Sequence, residues 1–99
     1  MNTKMADSSQ LFFKLCSDHL SIEAIPRKPL RLNLADVKLQ LPGYTLLMST
    51  PYFIVLRCQG GEEVTIRKDG RMLIRKVSSE AAARRTAEAI MATALMPRT

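Results

Sequence analysis

The sequence has no tryptophan, one histidine, two cysteines and five aromatic residues among its 99 positions. Each scarcity excludes something. Cys16 and Cys58 are too few for a disulfide scaffold, and neither belongs to a CxxC pair or a Cys/His cluster with metal-ligand spacing. Both read as small apolar residues held reduced. A nucleophilic site would have to be built from Cys16, Asp18 and the only histidine, His19. Helical spacing puts His19 on an apolar stripe with no oxyanion-hole loop beside it, so a packing role is expected. Glu62 and Glu63 fall at a hairpin end, where solvated charges belong. Gly60-Gly61 lacks the pattern and the following helix of a phosphate-binding loop. No catalytic residue, cofactor or metal is expected, and the chain reads as a non-enzyme.

Long apolar runs are also missing. None approaches the roughly 20 residues that cross a bilayer, and MNTKMADSSQ carries no apolar core after its charge. These readings predict a cytoplasmic protein without a membrane partner. What is present is an ordinary globular composition, 46% hydrophobic and 24% charged, with a formal net charge of +6. One domain is expected over residues 8–96, with residues 1–7 a flexible end and 97–99 a short tail. The basic balance favours polyanionic partners.

Along the chain, Leu11, Phe12, Leu15, His19 and Ile22 recur at helical spacing after Ser8 or Ser9, which predicts an N-terminal helix ended by Pro26. The connector from Pro26 to Leu34 holds Arg27, Lys28 and Arg31, and its Leu30, Leu32 and Leu34 are expected to run extended over the edge of the core. Val37, Leu39 and Leu41 alternate with Lys38 and Gln40, which predicts an extended segment over Asp36 to Leu41. After the Pro42-Gly43 turn come two strand-like runs, Tyr44 to Ser49 and Tyr52 to Gln59, divided by Thr50-Pro51. Ser78 or Ser79 then caps a helix to about Met96, with Ala83, Ala87, Ile90, Met91, Ala94 and Leu95 as its apolar stripe.

The centre of this plan is Glu62 to Val77, a hairpin turning at Lys68-Asp69-Gly70. With Gly70 in the left-handed bulge position, Arg67 pairs with Arg71 and Ile66 with Met72. One face then carries Val64, Ile66, Met72 and Ile74; the other carries Glu63, Thr65, Arg67, Arg71, Leu73 and Arg75. Reading Gly60-Gly61 as a two-residue loop adds Tyr52, Ile54 and Leu56 to the basic face and turns Arg57 toward the opposite one. The candidate nucleic-acid contacts are therefore Arg57, Arg67, Lys68, Arg71, Arg75 and Lys76, and the candidate partner contacts are Tyr52, Ile54, Leu56 and Leu73. With Phe12 and Phe13 expected in a helix, base stacking is not a strong component of this surface.

Leu41-Pro42-Gly43 before a strand, Asp69-Gly70-Arg71-Met72-Leu73-Ile74, and Ser78-Ser79-Glu80 opening an Ala-rich helix are similar in order to part of one repeat of the TATA-box-binding protein family. The similarity spans Leu41 to Leu95. It implies a TBP-like half-saddle, a helix-backed sheet with one free face, and a homodimer if a whole saddle is to form. The family's wedge phenylalanines are not matched: Leu41 stands at one position, and Arg67 or Lys68 near the other.

The expected fold is α+β: an antiparallel meander of four to five strands, backed by the long C-terminal helix and joined by the N-terminal helix. The expected role is low-specificity nucleic-acid binding through the basic sheet face. The alternative is a homo-oligomeric or partner-binding module without nucleic acid.

Overall fold

The computed structural model describes residues 11–15, 21–28 and 30–95. In chain order it comprises strand β1 (Leu11–Leu15), β2 (Ser21–Pro26), helix α1 (Leu34–Leu39), β3 (Thr45–Ser49), β4 (Phe53–Arg57), β5 (Glu63–Arg67), β6 (Met72–Arg75) and α2 (Glu80–Ile90), which runs on into a π-helical turn, Met91–Leu95. The fold is α+β. All pairings in its six-stranded sheet are antiparallel, in the order β1-β2-β6-β5-β4-β3. The expected frayed end at 1–7, the Cys16, Asp18 and His19 grouping, and the tail at 97–99 lie outside the described residues.

The meander β3 to β6 forms where strand-forming residues alternate between turn signals. At the β5–β6 turn the Arg67 N–H donates to Arg71 O at 2.9 Å and the Gly70 N–H to Arg67 O at 2.9 Å. Gly70 has φ +91. It is also crowded: a Cβ there would lie 2.7 Å from Leu30 Cδ1 and 2.9 Å from Pro26 Cγ. Ile66 faces Met72 and Val64 faces Ile74, and all four side chains are buried.

Two expected elements differ in kind. The predicted N-terminal helix is replaced by the antiparallel pair β1–β2, with Phe12 opposite Ile25 and Lys14 opposite Glu23. Alternation decides it: Ile22 and Ala24 are buried while Glu23 between them is not, and docking β2 on β6 satisfies a backbone edge that a helix would leave open. The predicted extended segment at Asp36 to Leu41 is instead α1. Asn33 caps it, its side chain accepting from Ala35 N at 3.0 Å and Asp36 N at 3.4 Å. The buried residues are Leu34, Val37 and Leu41, spaced for a helix, while Leu39 is 76% exposed.

The core lies on one side of the sheet. Ala83, Ala87, Ile90 and Met91 of the C-terminal helical segment join Leu34 and Val37 of α1 over the inner strand residues, with Leu30 and Leu32 of the connector packed against them. Ser79 caps α2 by accepting from Ala82 N at 3.1 Å. Small alanines let that helix approach the sheet closely. Among the described residues no helix is long and apolar enough to cross a membrane.

Candidate functional site

The described helices pack on the inner side, so no described helix covers the outer side of the sheet. Its composition follows from register. In the β4–β5 pair, Phe53 faces Arg67, Val55 faces Thr65 and Arg57 faces Glu63, while Ile54 faces Ile66 and Leu56 faces Val64. This corrects the sequence reading of β4 by one residue. Ile54 and Leu56 are core residues, 0% and 2% exposed, and are not partner contacts; Phe53, Val55 and Arg57 take their place on the outer face.

The cause is the loop before β5. Cys58 N donates to Glu62 O at 2.8 Å and Gly61 N to Cys58 O at 3.0 Å, which encloses Gln59-Gly60-Gly61. Gly61 has φ +97. The β4–β5 and β5–β6 hairpins therefore use one device, a three-residue loop whose third residue is a left-handed glycine. A one-residue change of loop length turns every side chain of a strand over.

The outer face is arranged in rows across the strands. One row holds Phe12, Ile25, Arg67 and Phe53, with Arg71 just beyond β6's last pairing to β2. The next holds Lys14, Glu23, Leu73, Thr65, Val55 and Met48. A third holds Ser21, which is buried, then Arg75, Glu63, Arg57 and Thr45. Four arginines and Lys14 share the surface with Glu23, Glu63 and, at the turn, Asp69; five cations against three carboxylates leave it positive by two.

Most of those arginines are already engaged. Arg67 Nη2 lies 3.1 Å from Asp69 Oδ2, and Arg71 Nη1 lies 3.5 Å from Glu23 Oε2. Glu63 receives both Arg75 Nη2 at 3.4 Å and Lys76 Nζ at 3.0 Å. Its carboxyl is held below the ordinary carboxylate range, chiefly by the hydrogen bond from Lys76. Lys76 takes a left-handed backbone with φ 58, which bends the chain out of β6. Arg57 has no ion pair among the described residues. Lys68 acts through its backbone, donating to Tyr52 O at 3.1 Å and accepting from Leu32 N at 2.9 Å.

Apolar groups fill the spaces between these charges. Leu47, Met48, Phe53 and Val55 line a depression of about 400 Å³ together with Glu63, Thr65 and Arg75. A smaller one of about 230 Å³, at Ile25, Pro26, Arg27, Asp69 and Arg71, marks the other end of the face. The Arg27 guanidinium lies 4.3 Å from the centre of the Phe12 ring. Tyr52, 70% exposed, stands just before β4. Sequence reasoning missed Phe12, Ile25, Phe53, Val55 and Met48 as surface groups. The signal for Phe53 and Val55 was Gly61, whose place matches that of Gly70 in the next turn.

A further cleft of about 430 Å³ lies between α2 and the loops at Tyr44 and Cys58, with Arg85 and Thr86 on its helix side. The Cys58 thiol is pushed up to about 11, first by burial and then by the nearby Glu62 charge. The thiolate is the nucleophilic form, and this shift disfavours it at neutral pH. Among the described residues no group of three or more His, Cys, Asp or Glu side chains is placed to hold a metal ion. No protein-family model, characterised protein or solved structure matches the chain.

Proposed function

We propose that the protein is a small basic binding domain whose uncovered sheet face engages single-stranded or duplex nucleic acid with low sequence specificity. One observation carries this reading: register collects Arg57, Arg67, Arg71 and Arg75 on a single face with Phe12 and Phe53 between and beside them. Arginines supply phosphate contacts, and aromatic rings offer sequence-tolerant stacking surfaces. Lys68 and Lys76 stand at the margin. The arginine–carboxylate pairs keep the side chains extended over the face, where phosphates displace the carboxylates as partners. The order of Pro42-Gly43 before β3, Asp69-Gly70 before β6 and Ser79-Glu80 at α2 supports a half-saddle of the kind the TBP resemblance implies.

Fluorescence anisotropy of a labelled oligonucleotide, titrated at several salt concentrations, tests the reading. With four arginines engaged, log K falls with log salt at a slope of about −3 on a single strand. Replacing Arg57 and Arg67 by Gln flattens that slope by about 1.4. Absence of binding to DNA and RNA, single-stranded and duplex, at low salt defeats the proposal.

A second reading is favoured by the middle row, where Leu73, Val55 and Met48 are apolar. In it the face is a protein-binding surface, with Leu73 retained from the sequence-based contacts. Such an interface is little weakened by salt, which separates it from phosphate binding.

A further inference from the structure

We propose that β3 is a self-association edge: two copies of this chain join through antiparallel pairing of β3 with β3 about a two-fold axis, so that one sheet continues into the other. Strand β3 ends the sheet with β4 as its sole described neighbour. One row of its backbone N–H and C=O groups is therefore open to another strand. All five of its residues are exposed, with Leu46 at 45% and Met48 at 52%.

Its composition sets it apart from the other strands. Lys14 lies in β1, Glu23 in β2, Arg57 in β4, Glu63 and Arg67 in β5, and Arg75 in β6; among the described strands only β3, Thr-Leu-Leu-Met-Ser, has no charge. Soluble proteins usually protect an edge with lysine, an inward charge or proline. Pro42 and Pro51 fall outside β3. Two devices protect it in part: the irregularity between Leu46 and Met48, which shortens the regular ladder, and Lys38 of α1, whose Nζ donates to Ser49 Oγ at 3.3 Å at one end of the strand. The irregularity also sends Leu46 to the helix side, opposite Leu56, and Met48 to the outer side, opposite Val55. A neighbouring strand is thus met by apolar groups above and below the sheet plane.

Charge identifies the occupant as a second copy. Two chains of net charge +6 repel one another unless they meet where charge is least, and along the strands that place is β3. With Lys38 at its Ser49 end as the cation bonded to it, and none within the strand, the edge offers little to a polyanion or an acidic peptide. Antiparallel pairing of one strand with itself is isologous, so each leucine meets the equivalent apolar group of its partner and complementarity needs no second sequence. The proposal does not depend on what the outer face binds.

Sedimentation velocity on the full chain over a range of concentrations, with hydrogen exchange on the same samples, is the test. The expected result is a monomer–dimer equilibrium whose dimer slows exchange at the β3 amides. Leu47→Lys and, independently, Met48→Lys should raise the dimer dissociation constant at least about tenfold, with unchanged far-ultraviolet circular dichroism. Leu73→Lys, on the outer face, should leave association intact. The proposal is overturned by a monomer at every concentration, by β3 amides already protected in a monomer, or by an association that Leu73→Lys abolishes while both edge variants preserve it.

Discussion

At the scale of single residues, Glu63 is the most constrained charge on the outer face. It accepts from Lys76 and Arg75 on one side and faces Arg57 on the other strand. Its folded-state pKa is lowered, so its contribution to stability is fully present above the ordinary carboxylate pKa of about 4.3. That contribution is lost as pH falls through the depressed folded value. Carbon-detected NMR titration should find the Glu63 midpoint below that of an exposed glutamate, and Lys76→Met should move it upward. A midpoint unaltered by the substitution would contradict the hydrogen bond as the chief cause. The turn chemistry around this residue was readable beforehand, because Asp69 and Gly70 have few alternatives: Asp69 Oδ1 accepts from Arg71 N at 3.1 Å, and only glycine takes φ +91 without strain. The pairing of Arg71 across to β2 was not readable. It depends on Glu23, which arrives from a strand far away in sequence.

At the scale of elements, β4 decides what the outer face is made of. Ile54→Lys buries a charge at a fully enclosed position and is expected to cost more than about 4 kcal/mol, enough to unfold a small domain. Val55→Lys, one residue on, should cost no more than about 1 kcal/mol. Urea denaturation of the two variants checks the register directly, since the opposite order of stabilities requires the opposite facing of β4. The strands β3 to β6 and α2 were legible because alternation, turn residues and the Ser79 cap agree there. Strands β1 and β2 and helix α1 were not. Leu-Phe-Phe-Lys-Leu is too apolar to show its period, and Val37, Leu39 and Leu41 mimic a strand, although Asn33 before them was a helix-cap signal and Leu34, Val37 and Leu41 fit a helical period. Of the candidate contacts, Arg67, Arg71, Leu73 and Arg75 could be placed from the one well-specified turn. Ile54 and Leu56 were misplaced because Gly60-Gly61 looked like a complete loop when it was the last two-thirds of one.

At the scale of the whole molecule, the sheet is assembled out of sequence order, with β2 inserted between its hairpin partner β1 and the last strand β6. Ile22 faces Ile74 and Ala24 faces Met72, whereas the meander pairs residues a few positions apart, as Ile66 with Met72. Closing the longer loop costs about 2 kcal/mol more in chain entropy than closing the short one. This separation gives the protein a temporal structure. The meander pairs through local contacts, and docking of the β1–β2 pair on β6 is the least local pairing of the sheet, so it is expected to form after the meander. Under native conditions the amides of β1 and β2 should therefore exchange by an opening smaller than global unfolding, ahead of those in β5 and β6; simultaneous exchange of all four strands would mean a single cooperative unit. Because β1 and β2 carry Phe12, Lys14, Glu23 and Ile25, undocking them would remove one end of the outer face and release Arg71 from Glu23, so the width of that face is tied to the least local pairing in the sheet.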